Sequence, residues 1–116
     1  MTKLKPIHPG EILREEFVVP FGLNANKLAL ALRVPPPTVY EIVKEERGIS
    51  SEMALRLARY FGTTPEFWMN LQAHYDLSIS RRQAEEKIKR DVRPMAEVKY
   101  RRFPANRKRQ LGWRTP

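Results

Sequence analysis

Three consecutive prolines, Pro35 to Pro37, separate two stretches in which apolar residues otherwise recur at helical spacing. Proline fixes its own φ, has no N–H, and disfavours the α region in the residue before it. The second stretch therefore begins a helix most easily at Pro37, after a rigid connection of about three or four residues. The prolines predict a tight turn between two helices.

The apolar pattern predicts five helices and no strand before residue 77. The second and fourth helices carry four apolar residues at positions i, i+3, i+4 and i+7, which form one buried stripe. Asn24 and Thr64 are candidate N-caps, and Gly62 is a candidate left-handed C-terminal residue. The predicted helices are Pro9 to about Val19, Asn24 to Leu32, a helix beginning at Pro37, Ser51 to Phe61, and Pro65 to about Asp76.

The two helices that flank the prolines have the spacing of a helix-turn-helix. Val34 is the expected apolar plug in the turn, and Val39, Ile42 and Val43 are expected to face the core. The predicted outward residues of the third helix are Tyr40, Glu41, Lys44 and Glu45. We therefore predict an all-α fold of five helices built around this motif.

The net charge of +9 lies entirely in the last forty residues, because residues 1–76 carry equal numbers of basic and acidic side chains. This asymmetry predicts two parts, a helix-turn-helix domain at 1–77 and a basic C-terminal extension at 78–116. The extension is predicted to be a charged helix and then, from Pro94 onward, an arm with no hydrophobic core of its own.

Several classes of function are excluded by composition. The chain has no cysteine, which removes disulfides, thiolate metal sites and cysteine nucleophiles and fits a reducing cytoplasm. His74 and Asp76 do not share a helix face, so no metal site is expected. No catalytic constellation or phosphate-binding glycine loop occurs, and no apolar run can span a bilayer. We expect neither an enzyme nor a cofactor.

Longer motifs resemble one family. "HPGEILREEF" (8–17), "GLNANKLALALRV" (22–34) and "RGISSEMALRLARYFGTTPEFWMNLQAHYDL" (47–77) are similar to HigA-type antitoxins, also called virulence-associated protein I, within the lambda-repressor-like (XRE) class. The resemblance covers residues 5–77. It implies a homodimer that binds its own operator DNA and represses a two-gene operon, with a ribosome-dependent mRNA interferase of the HigB/RelE type as partner.

The resemblance also implies which residues meet DNA. The third helix enters the major groove, and the start of the second helix meets phosphate. The matching positions are Asn24, Asn26, Lys27, Pro36, Pro37, Thr38, Tyr40, Glu41, Lys44 and Arg47. The alternative is that the third helix is merely an exposed helix of the bundle, and that Asn24 is a plain cap. Acidic side chains on this helix repel phosphate, although Glu41 can accept from a cytosine amino group.

The tail interleaves basic and aromatic residues, as nucleic-acid arms do. The candidate arm residues are Lys99, Arg101, Arg102, Arg107, Lys108 and Arg109; the alternative is a solvated terminus. Trp68, together with Phe67 and Tyr75, is either a base-stacking platform or part of the core or of a dimer surface. Helical spacing favours the core or dimer surface, and we expect all three side chains to point inward. Arg56 and Arg59 are expected to be solvated surface charges.

Two other functions remain open at this point. One is an interaction module that mainly covers a toxin and binds DNA weakly. The other is a stand-alone XRE-type regulator without a toxin. An adjacent gene for a small RelE-like protein would favour the antitoxin.

Overall fold

The computed structural model describes residues 5–98, and it confirms the all-α class. The described residues contain no strand and six α-helices: α1 (Pro9–Ile12), α2 (Ala25–Leu32), α3 (Pro36–Val43), α4 (Ser51–Phe61), α5 (Pro65–Asp91) and α6 (Met95–Val98). A π-helical segment, Leu13–Val18, follows α1 directly. No described helix has the length and apolarity that crossing a membrane requires.

The π-helical segment corrects the prediction of one regular helix from Pro9 to Val19. The Val19 N–H donates to the Arg14 carbonyl five residues earlier, at 3.0 Å, whereas an α-helix bonds four residues back. Leu13 and Val18, five positions apart, are both buried. The wider turn brings both side chains to the core, which an α-helix would rotate apart.

The core lies between the apolar stripes of α2 and α4, and both predicted stripes are confirmed. Leu28 and Leu57 have no solvent exposure, and neither do the small residues Ala29 and Ala54, which let the helices approach closely. Ser50 and Gly62 bound α4 as N-cap and left-handed C-cap. The remaining buried apolar residues are Leu13, Val18, Ala25, Leu32, Val39, Ile42, Ile49, Met53, Ala58 and Trp68.

The connection before α3 has the predicted length, since it consists of Arg33, Val34 and Pro35, but α3 begins one residue earlier than predicted. α2 ends at Leu32, its C-cap residue Arg33 is in the left-handed conformation with φ 61°, and Pro35 is the extended N-cap of α3. α3 therefore begins at Pro36, and the predicted start at Pro37 is wrong. The N–H groups of a first turn have no acceptor inside the helix, so two prolines there remove no hydrogen bond. Pro37 disfavours a helical conformation of Pro36, but Pro36 is helical all the same.

α5 continues to Asp91 and corrects the predicted end near Asp76. Its second half is mostly exposed and has no apolar stripe, but it is rich in residues with high helix propensity. The described residues fall into two compact units, one ending at Gln83 and one beginning at Ala84. The proposed domain boundary after Leu77 remains a prediction.

Candidate nucleic-acid interface

The predicted contact residues at the start of α2 are solvent-exposed around its first turn. Asn24 is the N-cap, as predicted, because its Oδ1 accepts the Lys27 N–H at 2.8 Å. Asn26 and Lys27 are exposed beside it. The N–H groups that precede Lys27 in this turn have no acceptor within the helix. Such an end can accept a phosphate oxygen.

The outward face of α3 presents side chains rather than backbone donors. Pro37, Tyr40 and Lys44 are exposed, and Pro36, Thr38 and Glu41 are half-buried. The first two helical positions are prolines without an N–H, and the Thr38 N–H donates to the Pro35 carbonyl at 3.0 Å. Contacts from α3 to a nucleic acid would therefore come from side chains.

Two of the acids near the end of α3 are paired with arginine. Glu41 accepts from Arg47 Nε at 2.8 Å, and Glu45 accepts from Arg14 at 3.3 Å. Glu45 has φ 66° and lies partly buried, so its predicted outward position is wrong. Of the three acids at this end of α3, only the exposed Glu46 forms no ion pair with another residue in the described part of the chain. These pairs reduce the repulsion of phosphate that the sequence indicates.

The C-terminal end of α3 is anchored by residues outside the helix-turn-helix. The Arg14 guanidinium donates to the Val43 carbonyl and to the Glu45 carboxylate. Gly10 lies against the Ile42 carbonyl so closely that a Cβ at Gly10 would be 1.8 Å from its oxygen. Gly10 and Arg14 are one helical turn apart, but their spacing gives no sign of partners about thirty residues away.

The loop after α3 is held by α5. Gln72 accepts the Ile49 N–H through Oε1 at 2.7 Å and donates through Nε2 to Asp76 at 3.0 Å. We call Gly10, Arg14 and Gln72 the α3 anchor. None of them was singled out from the sequence, because each acts through a backbone group that periodicity does not reveal.

Arg56 is a structural residue, and its prediction as a solvated charge is wrong. It donates to the Leu32 carbonyl at 2.8 Å and, through Nε and a terminal nitrogen, to Glu52 at 3.1 and 2.8 Å. Because Leu32 is the last residue of α2, this contact ties the end of α2 to α4. Arg59 is exposed, as predicted.

Trp68 belongs to the core, which confirms the interpretation that helical spacing favoured. Its side chain has no exposure, and its Nε1–H donates to Thr63 Oγ1 at 2.8 Å. The base-stacking interpretation of Trp68 is therefore wrong. Phe67 contacts the Trp68 ring at a centroid distance of 4.9 Å but is 38% exposed, so its predicted inward position is also wrong.

The candidate arm, Lys99 to Arg109, lies outside the described residues and remains a prediction. Within residues 5–98, no three His, Asp or Glu side chains are grouped so that they could hold a metal ion.

His8 closes the start of α1 beneath α5. Its Nδ1 accepts the Gly10 N–H at 2.8 Å, and its ring meets the edge of Tyr75 at a centroid distance of 4.7 Å. Burial lowers the pKa of His8 below its ordinary value of 6.5, although the charges of Glu45 and Asp76 oppose that shift. Neutral His8 is also needed chemically, since a protonated Nδ1 cannot accept the Gly10 N–H.

A lowered histidine pKa predicts that the fold loses stability in mild acid. The unfolded chain takes up a proton near pH 6.5 before the folded chain does, so the contribution of His8 is full above that pH and falls as the pH decreases toward its folded pKa. We expect the free energy of unfolding to fall as the pH decreases through about 6.5, the ordinary pKa of histidine. The decrease should be smaller in His8→Asn, which keeps a capping oxygen but cannot take up a proton. Urea titrations measure this. An equal pH dependence in both proteins would contradict the prediction, and exposed His74→Asn is the control.

Comparison with known proteins identifies the family. A helix-turn-helix family model matches residues 13–68. Virulence-associated protein I of Dichelobacter nodosus is 52% identical over 79 residues, covering 68% of this chain and 73% of that protein. The structure of Pseudomonas aeruginosa antitoxin HigA with the higBA promoter is 49% identical, with a TM-score of 0.77 over 78% of this chain and 99% of that one. The chain belongs to the HigA family of helix-turn-helix antitoxins.

A relative with lower sequence identity is also similar over most of its length. Antitoxin HigA-1 of Vibrio cholerae is 36% identical over 88 residues, which cover 76% of this chain and 83% of that protein. The family model begins at Leu13 and ends at Trp68. It therefore includes all of α2, α3 and α4 of this HigA-family chain, but not His8, Gly10 or Gln72.

Proposed function

We propose that this chain is an antitoxin that binds its own operator DNA as a homodimer, represses its own operon, and neutralises a HigB/RelE-type mRNA interferase by direct binding in the cytoplasm. The observation that carries the proposal is the likeness to P. aeruginosa HigA, whose structure contains the higBA promoter. A second support is the outward face of α3, where exposed Tyr40 and Lys44 lie on a helix fixed at its C-terminal end.

The geometry supports different roles for the two helices, with phosphate contacts from α2 and base contacts from α3. The first turn of α2, with Asn24, Asn26 and Lys27, offers a cap, a cation and free N–H groups to the phosphate backbone. Thr38 and Tyr40 on α3 would meet base edges, since phosphate contacts position a protein and base contacts specify the sequence. Arg47 contacts Glu41 through Nε alone, so its terminal nitrogens would be available to a phosphate while the pair with Glu41 is kept.

Operator binding is tested by fluorescence anisotropy on DNA from upstream of its gene and on a scrambled duplex. We expect Tyr40→Ala to weaken operator binding by about 10- to 100-fold and scrambled binding much less. Lys44→Ala should weaken both about equally and reduce the slope of log K against log salt by about 1. Leu77→Ala and Lys87→Ala, exposed on α5, are the controls.

Two results would reject the assignment of α3. One is unchanged operator binding in both Tyr40→Ala and Lys44→Ala. The other is loss of all binding on removal of residues 94–116 while both point variants bind normally, which would transfer recognition to the tail. A salt slope unchanged by the truncation would count against the arm.

The toxin part of the proposal has a separate test. If a small RelE-like protein is encoded beside this gene, the two proteins should co-purify as a complex when they are co-expressed, and the cells that express both should grow. Absence of such a gene, together with intact operator binding, would favour the stand-alone regulator instead.

A further inference from the structure

The outer face of α4 carries apolar side chains that the described residues leave uncovered. Leu55 is 58% exposed and Tyr60 is 46% exposed. They border an open groove of about 540 Å³ between α2 and α4, whose walls include Ala31 and Leu32 on one side and Glu52, Leu55, Arg59 and Tyr60 on the other. An exposed leucine next to an apolar groove is typical of an interaction surface.

The charges on this face are arranged to complement a second copy of themselves. Glu52, Leu55 and Arg59 lie at positions i, i+3 and i+7 of α4, so they share one side of the helix. If two α4 helices cross antiparallel about a two-fold axis between Leu55 and Arg56, Glu52 of each copy meets Arg59 of the other. The same operation places Leu55 of each copy over the groove of the other, as an isologous interface requires.

The contacts that Glu52 and Arg59 make within one chain leave both side chains able to form ion pairs with a second copy. Arg59 has no hydrogen bond or ion pair to another side chain in the described part of the chain. Glu52 uses a single oxygen, Oε2, for both contacts with Arg56. Its Oε1 is therefore available to a cation from outside the chain, and a second copy brings one.

The position of the face also suits a dimer of DNA-binding domains. Arg56 connects α4 to the Leu32 carbonyl at the end of α2, next to the turn that begins α3. In each copy, the Arg56 contact to Leu32 would therefore connect the helix at the two-fold axis, α4, to the turn that begins α3. We infer that the outer face of α4 (Glu52, Leu55, Arg59 and Tyr60) with its groove is the homodimer interface, formed by antiparallel packing of α4 against α4 of a second copy.

This inference deepens the proposed function by assigning its dimer surface, but its test needs no DNA and no toxin. Sedimentation equilibrium of the full chain gives the dimer dissociation constant. We expect Leu55→Glu to raise it at least about 30-fold, as loss of a central apolar contact does. Leu77→Glu, at an equally exposed leucine of α5 (53% exposed), should leave it unchanged.

Charge reversal tests the antiparallel register. Glu52→Arg and Arg59→Glu should each raise the dissociation constant about 10-fold. The double variant restores opposite charges across the axis and should return to within about threefold of the wild type. Circular dichroism and thermal unfolding of each variant confirm that the monomer is folded.

Four results would overturn the inference: a wild-type chain that stays monomeric, no effect of Leu55→Glu, an equal effect of Leu77→Glu, or no recovery in the double variant. A monomeric wild type from which Leu55→Glu removes a bound toxin would assign the face to the toxin instead. A wild-type dimer that fails to bind its operator would reject the proposed function and leave the dimer interface standing.

Discussion

Replacing Gly10 with alanine is expected to lower the free energy of unfolding by about 3 kcal/mol or more. The new Cβ would lie 1.8 Å from the Ile42 carbonyl oxygen and 2.9 Å from its carbon. Both atoms belong to the backbone of α3, so no rotation of a side chain can relieve the contact. α1 or α3 must shift, and the core residue Leu13 and the Arg14 contact to Val43 shift with it.

Urea denaturation of Gly10→Ala measures this effect, and Gly62→Ala is the control. Gly62 has φ 78°, and a Cβ there would meet no atom within 4 Å, so it tests backbone strain without a steric clash. We expect Gly62→Ala to lose only about 1 kcal/mol. Equal losses at the two sites would show that the close approach of Gly10 to α3 is not what requires glycine.

Trp68→Ala is expected to cost about 4 kcal/mol, the range typical of removing a buried aromatic side chain. The indole is fully buried, contacts Phe17 at a centroid distance of 5.0 Å, and donates to Thr63. Its loss opens a cavity between the π-helical segment and α5. It also leaves the Thr63 hydroxyl without its indole donor.

Two further variants separate the core role of Trp68 from nucleic-acid stacking. Trp68→Phe keeps most of the volume and should lose about 1 to 2 kcal/mol. Phe67→Ala, at the exposed neighbour, should change stability less and leave operator affinity unchanged. A loss of affinity in Phe67→Ala without a loss of stability would restore the stacking interpretation for this corner of the fold.

The sequence was most informative where a buried stripe and its caps coincide. The ranges of α2 and α4 follow from four-point stripes closed by Asn24 and by Gly62, since these signals are local. The start of α3 was missed by one residue because a steric rule about residues before proline competes with the tolerance of a first helical turn. The length of α5 was missed because its second half needs no buried stripe.

Only part of the candidate site could be predicted from the sequence. Asn24 could be recognised as a cap because its acceptor and donor are three residues apart. The Arg14 contact to Val43 and the Gln72 contact to Ile49 join residues 29 and 23 positions apart. Nothing in residue type or spacing distinguishes these side chains from ordinary polar surface, so the pairing of Glu45 with Arg14 was missed too.

The α3 anchor means that the helix-turn-helix of this protein is not a portable module. A fragment covering only α2, the turn and α3 would lose the backbone contact of Gly10 and the donor of Arg14, and it would expose Val39 and Ile42, which are each 1% exposed in the chain. Grafting those two helices onto another scaffold would carry over the outward side chains without the support that orients them. Transplanting its specificity would require the N-terminal segment from His8 and the first half of α5 as well.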